Sequence, residues 1–509
     1  MSFKNSASAA ALLLFAGAPA LADITSADIW DSYQALADAI GAELTGDLQT
    51  DGNQTVIKNG QVRIVLPQES VTAEVSLPEQ RLTNNSDGTV TVHVNEADSY
   101  AFTFTPKTGA AVSGELLIRY HGAETTASGS PGDVIFDFKV AESTAEVQGL
   151  DFSSIENSGI ASMEIHATGT GDSGAFRIIT GDTIDLSVQR SIGSLSYTTK
   201  VQDALGGKQT TEASMADLET EFQATLPRGG MSILNLSQAM ADGLKFNLQS
   251  VSAAGASATE ATLPGGNGVM TQSMSYGATQ ASASAGTGGV SMDQQIDGIE
   301  VKIQMPGQLP LPIAVALETW QASMAAPVAQ DTAPQEFSLQ FRLGGLSLDD
   351  GIWGLFDPAA VLPRDPATVA ASFKGETTLL QNLLDFAALM AMKPGEQPLE
   401  LNALTMTDLE LSAAGAKLTG TGDFAFNNGD LESFGGFPAP SGEASFQLTG
   451  ANGLIDKLIQ MGLITDSDAM GARMMMGMFA VPGEGEDSLS SKIEVSEDGQ
   501  ILANGQRIK

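Results

Sequence analysis

Hydrophobic and polar residues follow two different periods along the chain. From Ser26 to Leu44 the apolar positions Ile29, Tyr33, Leu36 and Ile40 recur at helical spacing, with Ser26 as N-cap and Gly41 near the end. Beyond this amphipathic helix the period becomes two. Val90, Val92 and Val94 alternate with Thr91 and His93, and Met163 and Ile165 alternate with Glu164 and His166. The same pattern sets Ile299, Val301, Ile303 and Met305 against Glu300, Lys302 and Gln304. It also sets Phe337, Leu339, Phe341 and Leu343 against Ser338, Gln340 and Arg342. Such alternation predicts long antiparallel sheets with one wet and one dry face. Asn84-Asn85-Ser86-Asp87-Gly88 reads as a hairpin turn, since Asn and Gly tolerate positive φ. The Ala-, Ser- and Gly-rich stretch from about 250 to 295 could be a linker. Met274, Tyr276, Met292 and Ile296 favour strands with small side chains instead.

The C-terminal third regains helical spacing. Leu379, Leu380, Leu383, Leu384 and Met390 outline a helix ending near Lys393-Pro394-Gly395. Leu454, Ile455, Leu458, Ile459 and Met461 outline another, ending at Gly462. A third begins at Asp466-Ser467-Asp468 and carries Met470, Met474, Met475, Met476 and Met478. The fold class is α+β and β-rich: long antiparallel meander sheets with an N-terminal helix and C-terminal helices. The expected divisions are a leader at 1–22, a helix and β-rich region at 23–225, a β-meander at 226–370 and an α+β region at 371–509.

The first 22 residues change the compartment. Lys4 precedes the apolar run Ala9–Ala16, and small residues end at Ala20-Leu21-Ala22, as in a signal peptide cleaved after Ala22. The expected location is therefore the periplasm of a bacterial envelope, with no transmembrane anchor. The chain has 0 Cys, so it relies on burial rather than disulfides in that compartment. With 24 Lys and Arg against 61 Asp and Glu, the net charge of −37 argues against nucleic acid as a partner.

Short motifs yield to their structural readings. Gly169-Thr170-Gly171-Asp172-Ser173-Gly174 matches a dinucleotide fingerprint, but Ala175–Ile179 reads as a strand returning from a turn rather than as a helix. Gly171-Asp172-Ser173-Gly174 echoes a serine-protease nucleophile segment, yet His93 and His121 lack that family's surroundings. Gly206-Gly207-Lys208 lacks the first P-loop glycine, since Gln202 stands there, and reads as a turn. Alternation puts His93 and His166 on wet faces, and no His pair has zinc spacing. No cofactor and no catalytic residue is assigned. The Met470–Met478 cluster suits ordinary core packing, with the lining of an acyl-chain groove as its functional rival.

The segments Leu346-Ser347-Leu348-Asp349-Asp350-Gly351-Ile352-Trp353-Gly354-Leu355-Phe356-Asp357-Pro358, Leu362–Thr368 and Phe373-Lys374-Gly375-Glu376 resemble the alphaproteobacterial family catalogued as domain of unknown function 2125. Gly442–Phe446, Met461–Ile464 and Glu497–Leu502 fit the same pattern. The resemblance covers chiefly the last third; it implies an exported protein and supplies no catalytic residues. Physically, Asp357-Pro358 and Asp365-Pro366 read as turn initiators, with Trp353 and Phe356 pinning the turn to the core.

The leading expectation is a non-catalytic binder of lipid or another amphiphilic envelope component. Its candidate apolar contacts are Met470, Met474, Met475, Met478, Trp353 and Phe356. The alternative is an envelope scaffold or protein-interaction module, and the third reading is a carboxylate-dependent envelope hydrolase.

Overall fold

The computed structural model describes residues 23–65, 71–150, 159–231, 235–262, 268–309, 311–393 and 395–508. The expected signal peptide, 1–22, lies outside them, as do Leu263–Gly266 and Pro394.

Helix α1 spans Ser26–Ala39. Its cap is Thr25, not Ser26: Thr25 N–H donates to Asp28 at 2.8 Å in a capping box. Ser26 is buried and its hydroxyl donates to Asn84 Oδ1 at 2.8 Å, a tertiary contact that removes it from capping. Gly41, at φ +74, turns the chain out of the helix, so Leu44 belongs to the first strand instead.

The strands follow in order. The first six are β1 Ala42–Asp51, β2 Gln54–Val65, β3 Val71–Ser76, β4 Gln80–Asn84, β5 Val90–His93 and β6 Ala97–Pro106. Five long ones come next: β7 Val112–Ser130, β8 Asp133–Gln148, β9 Ile160–Thr180, β10 Thr183–Asp203 and β11 Lys208–Pro227. Helix α2, Leu236–Ala241, precedes β12 Lys245–Ser252, β13 Ala254–Thr262, β14 Val269–Tyr276 and β15 Thr279–Gly286. Then come β16 Gly289–Gln304, β17 Ile313–Ala326, β18 Gln335–Leu348, helix α3 Asp350–Phe356 and β19 Ala367–Leu379. After helix α4, Phe386–Met390, the sheet continues through β20 Leu399–Ala413, β21 Ala416–Asn427 and β22 Ala439–Thr449. Helices α5 Ala451–Gln460 and α6 Asp466–Phe479 lead to β23 Val481–Pro482, β24 Ser488–Val495, β25 Ile501–Ala503 and β26 Gln506–Arg507.

The 26 strands among the described residues form one antiparallel sheet laid down almost in chain order. Among the described residues β1 pairs only with β2 and β26 only with β25, so the sheet is open. The described part of the 250–295 stretch is a series of strands joined by short turns, as its apolar anchors predict, and the Asn84–Gly88 turn joins β4 to β5. No helix among the described residues is long and apolar enough to cross a membrane.

A crease crosses the strands. Gly122 at φ +62, Gly171 at +65, Asp217 at +49, Gly298 at +62 and Gly345 at +71 lie in the interiors of β7, β9, β11, β16 and β18. A Cβ on Gly171 would sit 3.5 Å from the backbone of Gly193 on β10, so the two glycines face each other. At Gly122, Gly171, Asp217 and Gly298 the ladder is interrupted without a change of register, and the side-chain alternation shifts by one. In β11 the shielded positions are Thr211, Ala213 and Met215 before Asp217, then Leu218, Thr220, Phe222, Ala224 and Leu226 after it. The Gly169–Gly174 segment is thus the creased middle of β9, not a hairpin turn. Its glycines serve a bend inside a strand, which local composition does not separate from a bend between strands.

The core lies under α1 and α2. Ile29 and Trp30 meet Ile57, Leu82, Val134, Phe136, Ile178 and Ile184, while Ala239, Met240 and Leu384 extend the cluster. Tyr33, Phe136 and Phe176 stack with centroids 5.7 and 5.9 Å apart. Leu384 joins this core from a loop, and Leu379 is the last residue of β19, paired with Leu399. The helix expected from Leu379 to Met390 therefore shrinks to Phe386–Met390, because tertiary burial overrides local spacing there.

Candidate functional site: an uncharged face of the open sheet

Residues directly opposite in an antiparallel ladder share a face, so register reveals what each face presents. One row on the apolar side reads Met292, Met324, Leu339, Phe373 and Met406, from β16 to β20. A second reads Ile296, Trp320, Leu343, Val369, Leu411 and Leu418, continuing through Leu448 to Leu489 on β24. Across the crease the side continues with Ile299, Val301 and Ile303, opposite Leu317, Val315 and Ile313. At strands about 4.8 Å apart, the stretch from β16 to β21 is on the order of 24 Å wide.

No Asp, Glu, Lys or Arg occupies this side of the described strands from β11 to β24. The charges stand on the opposite side: Ser323 donates to Asp293, and Glu410 accepts from Lys417 at 2.8 Å and Arg342 at 3.5 Å. From β7 to β10 the apolar side carries a single ion pair. Arg190 donates to both oxygens of Asp172 at 2.9 and 2.7 Å, so the pair adds no net charge.

Helices α1 and α2 cover this side at Ala224, Leu226 and Ala285, but across β16 to β20 it is partly open to solvent. Met292 is 45% exposed, Leu339 48%, Val369 40% and Leu411 39%, neighbours rather than scattered residues. Isolated exposed apolar side chains are ordinary, whereas a contiguous field of them marks an interaction surface.

The residues singled out in the sequence lie elsewhere. Met470, Met474, Met475 and Met478 are 67, 66, 53 and 47% exposed, so they do not pack the core. The helix docks through its other side: Ala469 is buried, and Arg473 donates to Asp456 at 2.6 Å and to Asn452 at 3.1 Å on α5. Its start agrees with the sequence, capped by Thr465 and Asp468, and α5 closes at Gly462, φ +72. Trp353 and Phe356 pack on each other at 5.0 Å beneath the Arg364 guanidinium, with Phe356 exposed. The pin of that turn is Asp357, whose buried carboxylate accepts the N–H groups of Val361 and Leu362, each at 2.9 Å. A carboxylate that ends orphan amides fixes a turn more firmly than an exposed ring pair.

His93 and His166 stand on wet faces, as the alternation predicts, with His93 Nε2 2.8 Å from Thr83 Oγ1. Gly206-Gly207 forms the turn between β10 and β11, held by Asp203. Among the described residues no group of three His, Cys, Asp or Glu is placed to hold a metal ion.

Residues 246–505 match the family described as "Uncharacterized protein conserved in bacteria (DUF2125)". The chain belongs to that family. No curated protein and no solved structure matches the chain. The matched span opens in β12 and closes just after β25, so it contains the uncharged rows from β16 to β24 and reaches further upstream than the last third. Helix α1 lies outside it, while Ala285, Val328 and Leu384 within it join the core beneath that helix.

The apolar segments were legible strand by strand, but the charge-free side was not. Its residues come from strands as far apart in the chain as β11 and β24, and the crease switches parity within several of them. The signal that could have revealed the crease is the isolated glycine within a strand pattern, at Gly122, Gly298 and Gly345.

The charged side makes one prediction. The hydrogen bond from Lys417, together with the positive charges of Lys417 and Arg342, holds the Glu410 carboxyl below its ordinary value. A depressed carboxyl stabilises the fold above its unfolded-state value, and that contribution disappears as pH falls through the folded value. Glu410→Gln is expected to cost about 0.2–1 kcal/mol at pH 7 and nothing at strongly acid pH. Urea midpoints of the two proteins across pH check it.

Proposed function

We propose that this protein is a non-catalytic carrier or binder of long-chain amphiphiles in the bacterial periplasm, reached by export with the N-terminal leader. The single observation that carries the reading is the charge-free side from β11 to β24 in a chain with 61 Asp and Glu and 24 Lys and Arg. Alkyl chains need a surface that demands no hydrogen bonds, and each methylene moved from water onto it contributes about 0.8 kcal/mol. Ten such groups contribute roughly 8 kcal/mol, enough to offset a modest cost of association. The polar head remains toward water. Flexible Met292, Met324 and Met406 in one row suit chains of differing shape.

The test is purification of the mature protein from its native periplasm without detergent, solvent extraction, and mass spectrometry against a mock purification. A stoichiometric amphiphile is the expected result. Repeated recovery of nothing above the mock would overturn the reading and favour the protein-interaction module.

A further inference from the structure

A second feature lies outside the uncharged rows. Beneath α1 is a cavity of about 600 Å³, bounded by α1, by β2, β5 and β6, by the first half of β8 and by the middles of β7 and β9. Trp30, Tyr33 and Leu36 form its roof, with Val92, Phe136 and Phe138 opposite. Its other end is polar. Asp98, Tyr100 and Tyr120 line it, and Asp172 reaches it already paired with Arg190.

Asp98 is the unusual group. It is only 8% exposed, and its carboxylate accepts one amide hydrogen bond, from Asn95 at 2.7 Å. No Lys, Arg or His pairs with it among the described residues. Burial raises the hydroxyls of Tyr100 and Tyr120, and the nearby Asp98 carboxylate raises them further. Burial likewise pushes Tyr33 up to about 12. The phenols are therefore neutral at physiological pH and bring no positive charge to this end of the cavity. Shielding a carboxylate from water without a cation costs several kcal/mol, which a cation brought by a ligand would offset. Aromatic faces around that cation add about 0.5–2 kcal/mol.

We propose that this cavity binds a small organic ammonium with an apolar body, the ammonium at Asp98 and the body against Trp30, Tyr33 and Phe136. The site is independent of the proposed carrier function, since it uses neither the rows from β16 to β24 nor the Met helix. Its chemistry excludes a carboxylate ligand of the same size, because Asp98 repels it.

Trp30 gives a local readout once Trp320 and Trp353 are changed to Phe, and 2-phenylethylamine, 2-phenylethanol and 3-phenylpropanoate are the probes. At pH 7 the amine is expected to change Trp30 emission saturably and at least 10-fold more tightly than the alcohol, with no response to the carboxylate. Asp98→Asn is expected to weaken the amine at least 10-fold, to the level of the alcohol, while Leu339→Glu leaves it unchanged. Equal affinity for amine and alcohol, or indifference to Asp98→Asn, would overturn the proposal. Should either variant fail to fold by circular dichroism, calorimetric titration of the unsubstituted chain with the three probes decides by their ranking alone.

Discussion

Leu339→Glu is expected to reduce recovered amphiphile at least 100-fold while leaving the fold intact. Leu339 sits on β18 between Met324 and Phe373 and is 48% exposed, so the free protein can hydrate a carboxylate there. Its stability should change by less than about 1 kcal/mol, the range for surface positions. An alkyl chain laid across the row would instead strip water from the charge, at a cost of several kcal/mol. A loss of about 2.7 kcal/mol is the 100-fold effect. Gln340→Glu, one residue along on the polar side, is the control and should leave recovery unchanged, since Gln340 lies in the row with Ser323 and Asp293. Extraction and mass spectrometry of both variants, alongside thermal melts, check it; normal recovery from Leu339→Glu would place the ligand on another surface.

Gly171→Val is expected to destabilise the protein by at least about 2 kcal/mol. The left-handed region costs an L-residue roughly 1–2 kcal/mol, and more for a β-branched side chain. Gly171 holds φ +65 in the middle of β9, opposite Gly193. The consequence reaches the apolar side, because the crease keeps shielded residues on one side along the whole strand. A β9 that straightened would present His166 and Thr168 in place of Ile165 and Ala167. Gly288→Ala is the control: no atom lies within 4 Å of a Cβ there and its φ is not left-handed. Urea unfolding compares the two; a Gly171→Val midpoint equal to that of Gly288→Ala would mean the crease does not depend on this conformation.

Strand content, the small-residue strands near 250–295 and the helices α5 and α6 were legible in the sequence, because alternation, turn residues and helix-end residues are local signals. The start of α6 was read to the residue, as Asp468 reaches back to Thr465 within one turn. The helix expected across Leu379–Met390 failed for the opposite reason. Leu379 pairs with Leu399 and Leu384 enters a core built by α1, and neither partner lies within the window that local spacing samples. The methionines of α6 failed likewise, since a stripe of apolar residues does not state which side the neighbouring helix will cover.

What the sequence by itself determined, then, is the kind of element at each place and the acidic, cysteine-free character of the chain. Only the tertiary structure decided which side each element shows. The register of each strand against the next, and the left-handed residues that reverse alternation inside them, turned separate apolar stripes into one uncharged side. The same long-range pairing buried Asp98 with Asn95 as its hydrogen-bond partner and no cation paired with it among the described residues. Side-chain parity is local, but the side it points to is set by pairing between distant segments, and that is a property of the sheet.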